Sequence, residues 1–125
     1  MKKALQTTLI LISFIPLFFG LTGLILGAER WLPPEVINPG IDNQYRYLSG
    51  YYLSLVFMIW WIVPQVETLK TPLRLLVLAI FIGGLARVYS VISVGMPPPL
   101  NMAGAALELG SPILILWQNW VAKRA

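Results

Sequence analysis

The sequence predicts an all-α fold: an integral membrane bundle of four transmembrane helices with both termini cytoplasmic. Three observations carry that reading. Of 125 residues, 58% are hydrophobic and 11% charged, against roughly 25% charged in a soluble domain, and the mean hydropathy is +0.76. Four long stretches hold almost all of the apolar residues. Lys and Arg are distributed unevenly between the segments that join them.

A helix crosses a hydrocarbon core of about 30 Å with about 20 mostly apolar residues. Residues 4–28 carry no charge and form the first such stretch. Residues 47–66 form the second, between Arg46 and Glu67. Residues 75–94 form the third, with Arg87 inside, and residues 99–122 the fourth, with Glu108 inside. The runs are too long and too continuously apolar for barrel strands, which alternate over about 10 residues. Helices are therefore expected at about 4–28, 43–66, 73–94 and 99–122, in a single domain over residues 1–125. Lys2 and Lys3 resemble the start of a signal peptide. The apolar run after them exceeds the ~7–15 residues of such a segment, and Leu26-Gly27-Ala28 puts Leu where cleavage wants a small residue. The first helix is read as retained.

The links differ in character. Residues 29–42 hold Pro33-Pro34 and Asn38-Pro39-Gly40, which are turn and extended-chain signals. Residues 67–74 are short and basic. Gly95-Met96-Pro97-Pro98-Pro99 is a stiff turn. Lys2, Lys3, Lys70, Arg74, Lys123 and Arg124 fall on one side of the membrane, Arg30 and Arg46 on the other. The rich side is expected to be cytoplasmic, giving a multi-pass protein of the bacterial inner membrane with N and C termini inside. Trp60, Trp61, Trp117 and Trp120 near the inner ends, and Tyr45, Tyr47, Tyr51 and Tyr52 near an outer end, occupy belt positions.

Composition also narrows the chemistry. The chain has no Cys and no His, which removes disulfides, thiolate and imidazole metal sites, axial-His haem and imidazole catalysis. No metal and no cofactor is expected. The net charge of +4 reads as a topology signal, so no nucleic-acid partner is expected.

Helices in lipid associate through small residues that let backbones approach. The first helix presents Ser13, Pro16, Gly20, Gly23 and Gly27 on one face; the second Arg46, Gly50 and Ser54; the third Gly83, Gly84, Arg87 and Ser90; the fourth Asn101, Gly104, Ala105, Glu108, Ser111 and Pro112. The bulky remainder of each helix is left for lipid.

Arg87 and Glu108 are the most informative residues, because a charge at mid-membrane costs about 2.5–3.5 kcal/mol on insertion scales. Arg87 lies eight residues before Gly95, about 12 Å along a helix, and Glu108 nine after Pro99, about 13.5 Å. At matching depth on antiparallel neighbours they are expected to form a direct ion pair. Pro112 cannot bond the carbonyl of Glu108, so a kink is expected there, leaving an oxygen for water, a hydroxyl or a ligand. Asp42 is a plausible N-cap of the second helix, with Arg46 one turn in. Arg46, Arg87, Glu108, Asp42, Asn101 and Ser90, with Tyr89 or Tyr51, are then candidate lining for a polar cavity open to the outer side. With one more Arg than Glu facing inward, it would prefer an anionic or strongly accepting group. Plainer readings stand beside each: a pair that fixes helix register, an Arg46 that snorkels to headgroups, and glycines that only pack.

Asp42, Arg46 and Gly50, then Gly83-Gly84-Leu85-Ala86-Arg87, Ser90, Gly95-Met96-Pro97 and Ala106-Leu107-Glu108, resemble the small bacterial membrane proteins grouped as domain of unknown function 4345, over nearly the whole chain. The resemblance implies a four-helix integral membrane protein of about this length and no particular activity.

Four functions compete. The first is binding or carrying a small amphipathic molecule such as a lipid, quinone or carboxylate. The second is a non-catalytic subunit or assembly factor, in a homo-oligomer or a larger membrane complex. The third is an intramembrane enzyme of isomerase type; a carboxylate held ionised by Arg is a poor acid, and the reading leans away from an enzyme. The fourth, a proton-coupled exporter, needs an unpaired carboxylate. Beyond the lipid bilayer, no partner is specified.

Overall fold

The computed structural model describes residues 1–124. Among them there is no strand, and four helices are long and apolar enough to cross a membrane. Helix α1 is Lys2–Leu26, α2 Pro39–Ile62 and α3 Lys70–Ser93; the fourth span is two pieces, α4 Pro99–Gly110 and α5 Ile113–Arg124. The chain divides into two compact units: residues 6–64, and residues 1–5 with 65–125.

In the first unit, α1 runs unbroken through Pro16. Its buried residues Leu9, Ser13, Pro16, Gly20 and Gly23, with Gly27 just past its end, recur every three or four positions, so the small-residue stripe lies on its inner face. A Cβ on Gly20 would come within 2.9 Å of the Leu53 Cβ, and one on Gly23 would overlap the Ser49 hydroxyl. The backbones of α1 and α2 therefore approach as closely as the absence of side chains allows. Trp60 Nε1 donates to Ser13 Oγ at 3.0 Å, and Ser13 Oγ donates back to the Ile10 carbonyl. One hydroxyl thus satisfies an indole that apolar surroundings would otherwise strand.

Helix α2 begins four residues earlier than expected. Asn38, not Asp42, is its N-cap: Asn38 Oδ1 accepts from the Ile41 N–H at 2.9 Å. Pro39 follows at the first helical position, where a missing N–H costs nothing. The expected inner stripe of α2 also needs correction. Ser54 is exposed, and a Cβ on Gly50 would meet nothing within 4 Å. The buried face holds Ser49, Val56, Ile59 and Ile62 instead. The step from Gly50 to Ser49 turns the helix by about 100°. The far end stops at Ile62, short of residue 66, because Pro64 cannot continue the hydrogen-bond ladder; Val63–Gln65 is a 3-10 turn.

In the second unit, α3 starts at Lys70, with Pro72 in the first turn, where its N–H is not needed. Gly95, at φ 128°, ends the following turn in a conformation that suits glycine. Pro99 is the first residue of α4. The fourth span breaks at Ser111-Pro112, where the proline nitrogen has no N–H for the Glu108 carbonyl. Glu108's freed carbonyl accepts instead from Ser111 N at 3.2 Å and Ser111 Oγ at 2.6 Å. A hydroxyl three residues on, one of the partners expected, bonds that acceptor.

Candidate functional site

Two ion pairs within the candidate spans belong to different units, so the residues expected to line one cavity fall into two groups.

The first group closes the α1–α2 turn. Gly27, at φ 71°, reverses the chain after α1. Asp42 Oδ1 accepts from the Ala28 N–H at 3.0 Å, and Asp42 Oδ2 accepts from Arg46 Nε at 2.8 Å. Arg46 Nη1 donates to the carbonyls of Leu24 and Ile25 at 2.7 and 3.0 Å. Those carbonyls are the orphan acceptors at a helix C-terminus, where a cation also meets the negative end of the helix dipole. Asp42 sits in the first turn of α2, where the dipole favours an anion. Arg46 is therefore neutralised and used within its own turn, and the surplus of inward positive charge inferred from sequence loses one of its two terms. Tyr51 is exposed and pairs with Tyr47, the rings edge to face at 4.9 Å.

The second group joins α3 to α4. Arg87 Nε donates to Glu108 Oε1 at 3.0 Å. Gly83 and Gly84 make the approach feasible: a Cβ on Gly84 would lie 3.0 Å from the Glu108 Cβ, and one on Gly83 3.3 Å from Glu108 Oε2. Gly104 is less critical, since a Cβ there would reach Arg87 Nη2 only at 3.6 Å, an ordinary contact. The Glu108 side chain is 17% exposed and the Arg87 side chain 38%. Among the described residues, neither Nη1 nor Nη2 of Arg87 has an acceptor within the protein. Asn101 is half-buried, seven residues before Glu108 and so on the same face of α4. Ser90 and Tyr89 are exposed. Chemically, this group offers the free N–H bonds of one guanidinium beside one carboxylate oxygen. No set of three or more His, Cys, Asp or Glu side chains among the described residues is arranged to hold a metal ion.

A third polar constellation had no sequence forecast. Gln118 is fully buried, and its Nε2 donates to the carbonyls of Val66 and Leu69 at 2.7 and 2.9 Å. It anchors the α2–α3 link to α5. Alongside, Arg74 Nη2 donates to Asn119 Oδ1 at 3.2 Å, and Lys2 Nζ to Glu67 Oε1 at 3.0 Å. Glu67's carboxyl is held below the usual carboxylate range, first by its own backbone N–H and then by Lys2. The signal for Gln118 was present: Leu114, Gln118 and Val121 share one helical face, and only the first and last are apolar.

The profile of a family described as Domain of unknown function (DUF4345) matches residues 4–118. The chain belongs to this family. The DUF4345 match takes in both ion pairs and Gln118. Comparison with curated proteins and with solved structures gives no match. The family description carries no activity. With four helices long and apolar enough to span a bilayer, this DUF4345 member is a multi-pass integral membrane protein.

Proposed function

We infer that this membrane protein binds a small amphipathic molecule whose anionic or strongly accepting head group meets Arg87. One observation carries the reading. Arg87 presents the N–H bonds of both terminal nitrogens within a candidate span with no acceptor among the described residues, and unsatisfied polar groups in a bilayer cost several kcal/mol each. Glu108 holds the guanidinium in place through Nε and leaves the outer fork free, which is the part that grips a carboxylate or phosphate with two parallel bonds. Asn101 supplies a neutral donor and acceptor on the same face as Glu108. Asp42 and Arg46 support the turn, and Ser90 lies at the margin. A lipid, a quinone or a carboxylate suits this chemistry. The uneven Lys and Arg count supports an inner-membrane setting with both termini cytoplasmic.

Native mass spectrometry of protein extracted in mild detergent tests the reading. A small-molecule adduct is expected on the wild type and absent from Arg87→Gln. A wild type without adduct, or a variant that keeps it equally, would refute the assignment.

A further inference from the structure

Among the described residues, the Arg30 guanidinium in the turn after α1 has no ion-pair partner. Gly27 folds the chain back along α1, and the Arg30 guanidinium lies 5.1, 5.2 and 5.2 Å from the ring centroids of Phe18, Phe19 and Trp31. Trp31 itself stacks on Phe19, the rings inclined by 19°. Three aromatic faces therefore fix the charge in place. Phe18 and Phe19 lie about two turns before the end of α1, so the Arg30 side chain points back along the helix. The ion pairs among the described residues are Lys2–Glu67, Asp42–Arg46 and Arg87–Glu108, and none involves Arg30. Its Nε is buried without an acceptor.

Beside it runs a shallow, open apolar groove on α1, lined by Phe14, Leu17, Phe18, Leu21 and Thr22. These residues recur at helical spacing along one face of α1. Thr22 does not interrupt the apolar lining, because its hydroxyl donates to the Phe18 carbonyl at 2.7 Å. Phe18 belongs both to the groove and to the aromatic cage. The guanidinium sits against Phe18, midway along this apolar face, so an acyl chain can lie along the face while a phosphate meets Arg30.

We propose that Arg30 and this groove bind an anionic glycerophospholipid of the surrounding bilayer. The charge decides between headgroups: a zwitterionic lipid brings its own ammonium, which offsets the attraction of Arg30, and an anionic one does not. The site uses no residue of the Arg87 assignment and lies in the other compact unit, so each stands or falls separately.

The test is native mass spectrometry of the full chain in detergent, titrated with phosphatidylglycerol or phosphatidylcholine of identical acyl chains. The wild type is expected to retain phosphatidylglycerol about fivefold better, the preference one basic side chain gives near a membrane surface. Arg30→Gln should bring the ratio near one. Leu17→Trp, which fills the groove and leaves Arg30 intact, should weaken retention of both lipids. Arg87→Gln should leave the ratio unchanged. The proposal is overturned by a wild type without preference or by a preference that survives Arg30→Gln. It is equally overturned by Leu17→Trp retaining both lipids normally, or by loss of the preference in Arg87→Gln.

Discussion

At Gly27 a single methyl group meets two obstacles. The backbone is left-handed, at φ 71°, which costs an L-residue about 1–2 kcal/mol. The space a Cβ would take is also filled by the carboxylate of Asp42 and the guanidinium of Arg46. Gly27→Ala should therefore lower thermal stability in detergent by more than that backbone penalty, whereas Gly50→Ala, inside α2 with open space around it, should raise the melting temperature slightly, because alanine is the better helix former. The contrast also shows how far single residues were legible. The spacing of Ser13, Gly20, Gly23 and Gly27 picked out the buried face of α1 because nothing else on that helix is small at that period. On α2, Ser49 and Gly50 are adjacent and both small, so spacing alone could not choose between faces about 100° apart. The N-cap falls at Asn38 rather than at the expected Asp42, and Pro39, which belongs just after a cap, is the signal that marks it.

At the scale of elements, the α3–α4 contact rests on glycines that admit Glu108 and on the pair that Glu108 then makes. Removing one member strands the other at membrane depth. Glu108→Ala should cost up to about 3–5 kcal/mol, the range for breaking a buried pair, while Arg87→Ala with Glu108→Ala should cost less. A thermal-unfolding double-mutant cycle measures the coupling, and additive effects would show that the two side chains act independently. The pairing was legible from depth arithmetic because two charges in otherwise uncharged spans have few ways to meet. The fate of the Glu108 carbonyl was not, since the rotamer of Ser111 is a matter of local geometry that no spacing encodes.

For the molecule as a whole, the unit of residues 1–5 and 65–125 gathers segments far apart in the chain. Lys2 joins Glu67, and Gln118 joins Val66 and Leu69. Glu67 titrates lower folded than unfolded, so its contribution is present above the usual carboxylate range and is lost as pH falls through the lowered folded value. Wild-type thermal stability should therefore decline on acidification from pH 7 to about pH 3, and Glu67→Gln should flatten that decline. A variant as acid-sensitive as the wild type would show that other carboxylates govern it. Helix number and span positions were readable from composition, because a bilayer imposes them on any chain. The division into two units was not, since it depends on which interior faces meet, and composition does not encode that.

The amide of Gln118 has a consequence for how the protein is made. A ribosome releases Val66 a full 52 residues before it releases Gln118. Until then the two carbonyls between the second and third spans have no side-chain donor. The nascent hairpin leaves the translocon with that corner still open, and only emergence of the final half-helix latches it. Stalled or truncated chains ending before Gln118 should be the forms that quality-control proteases recognise first.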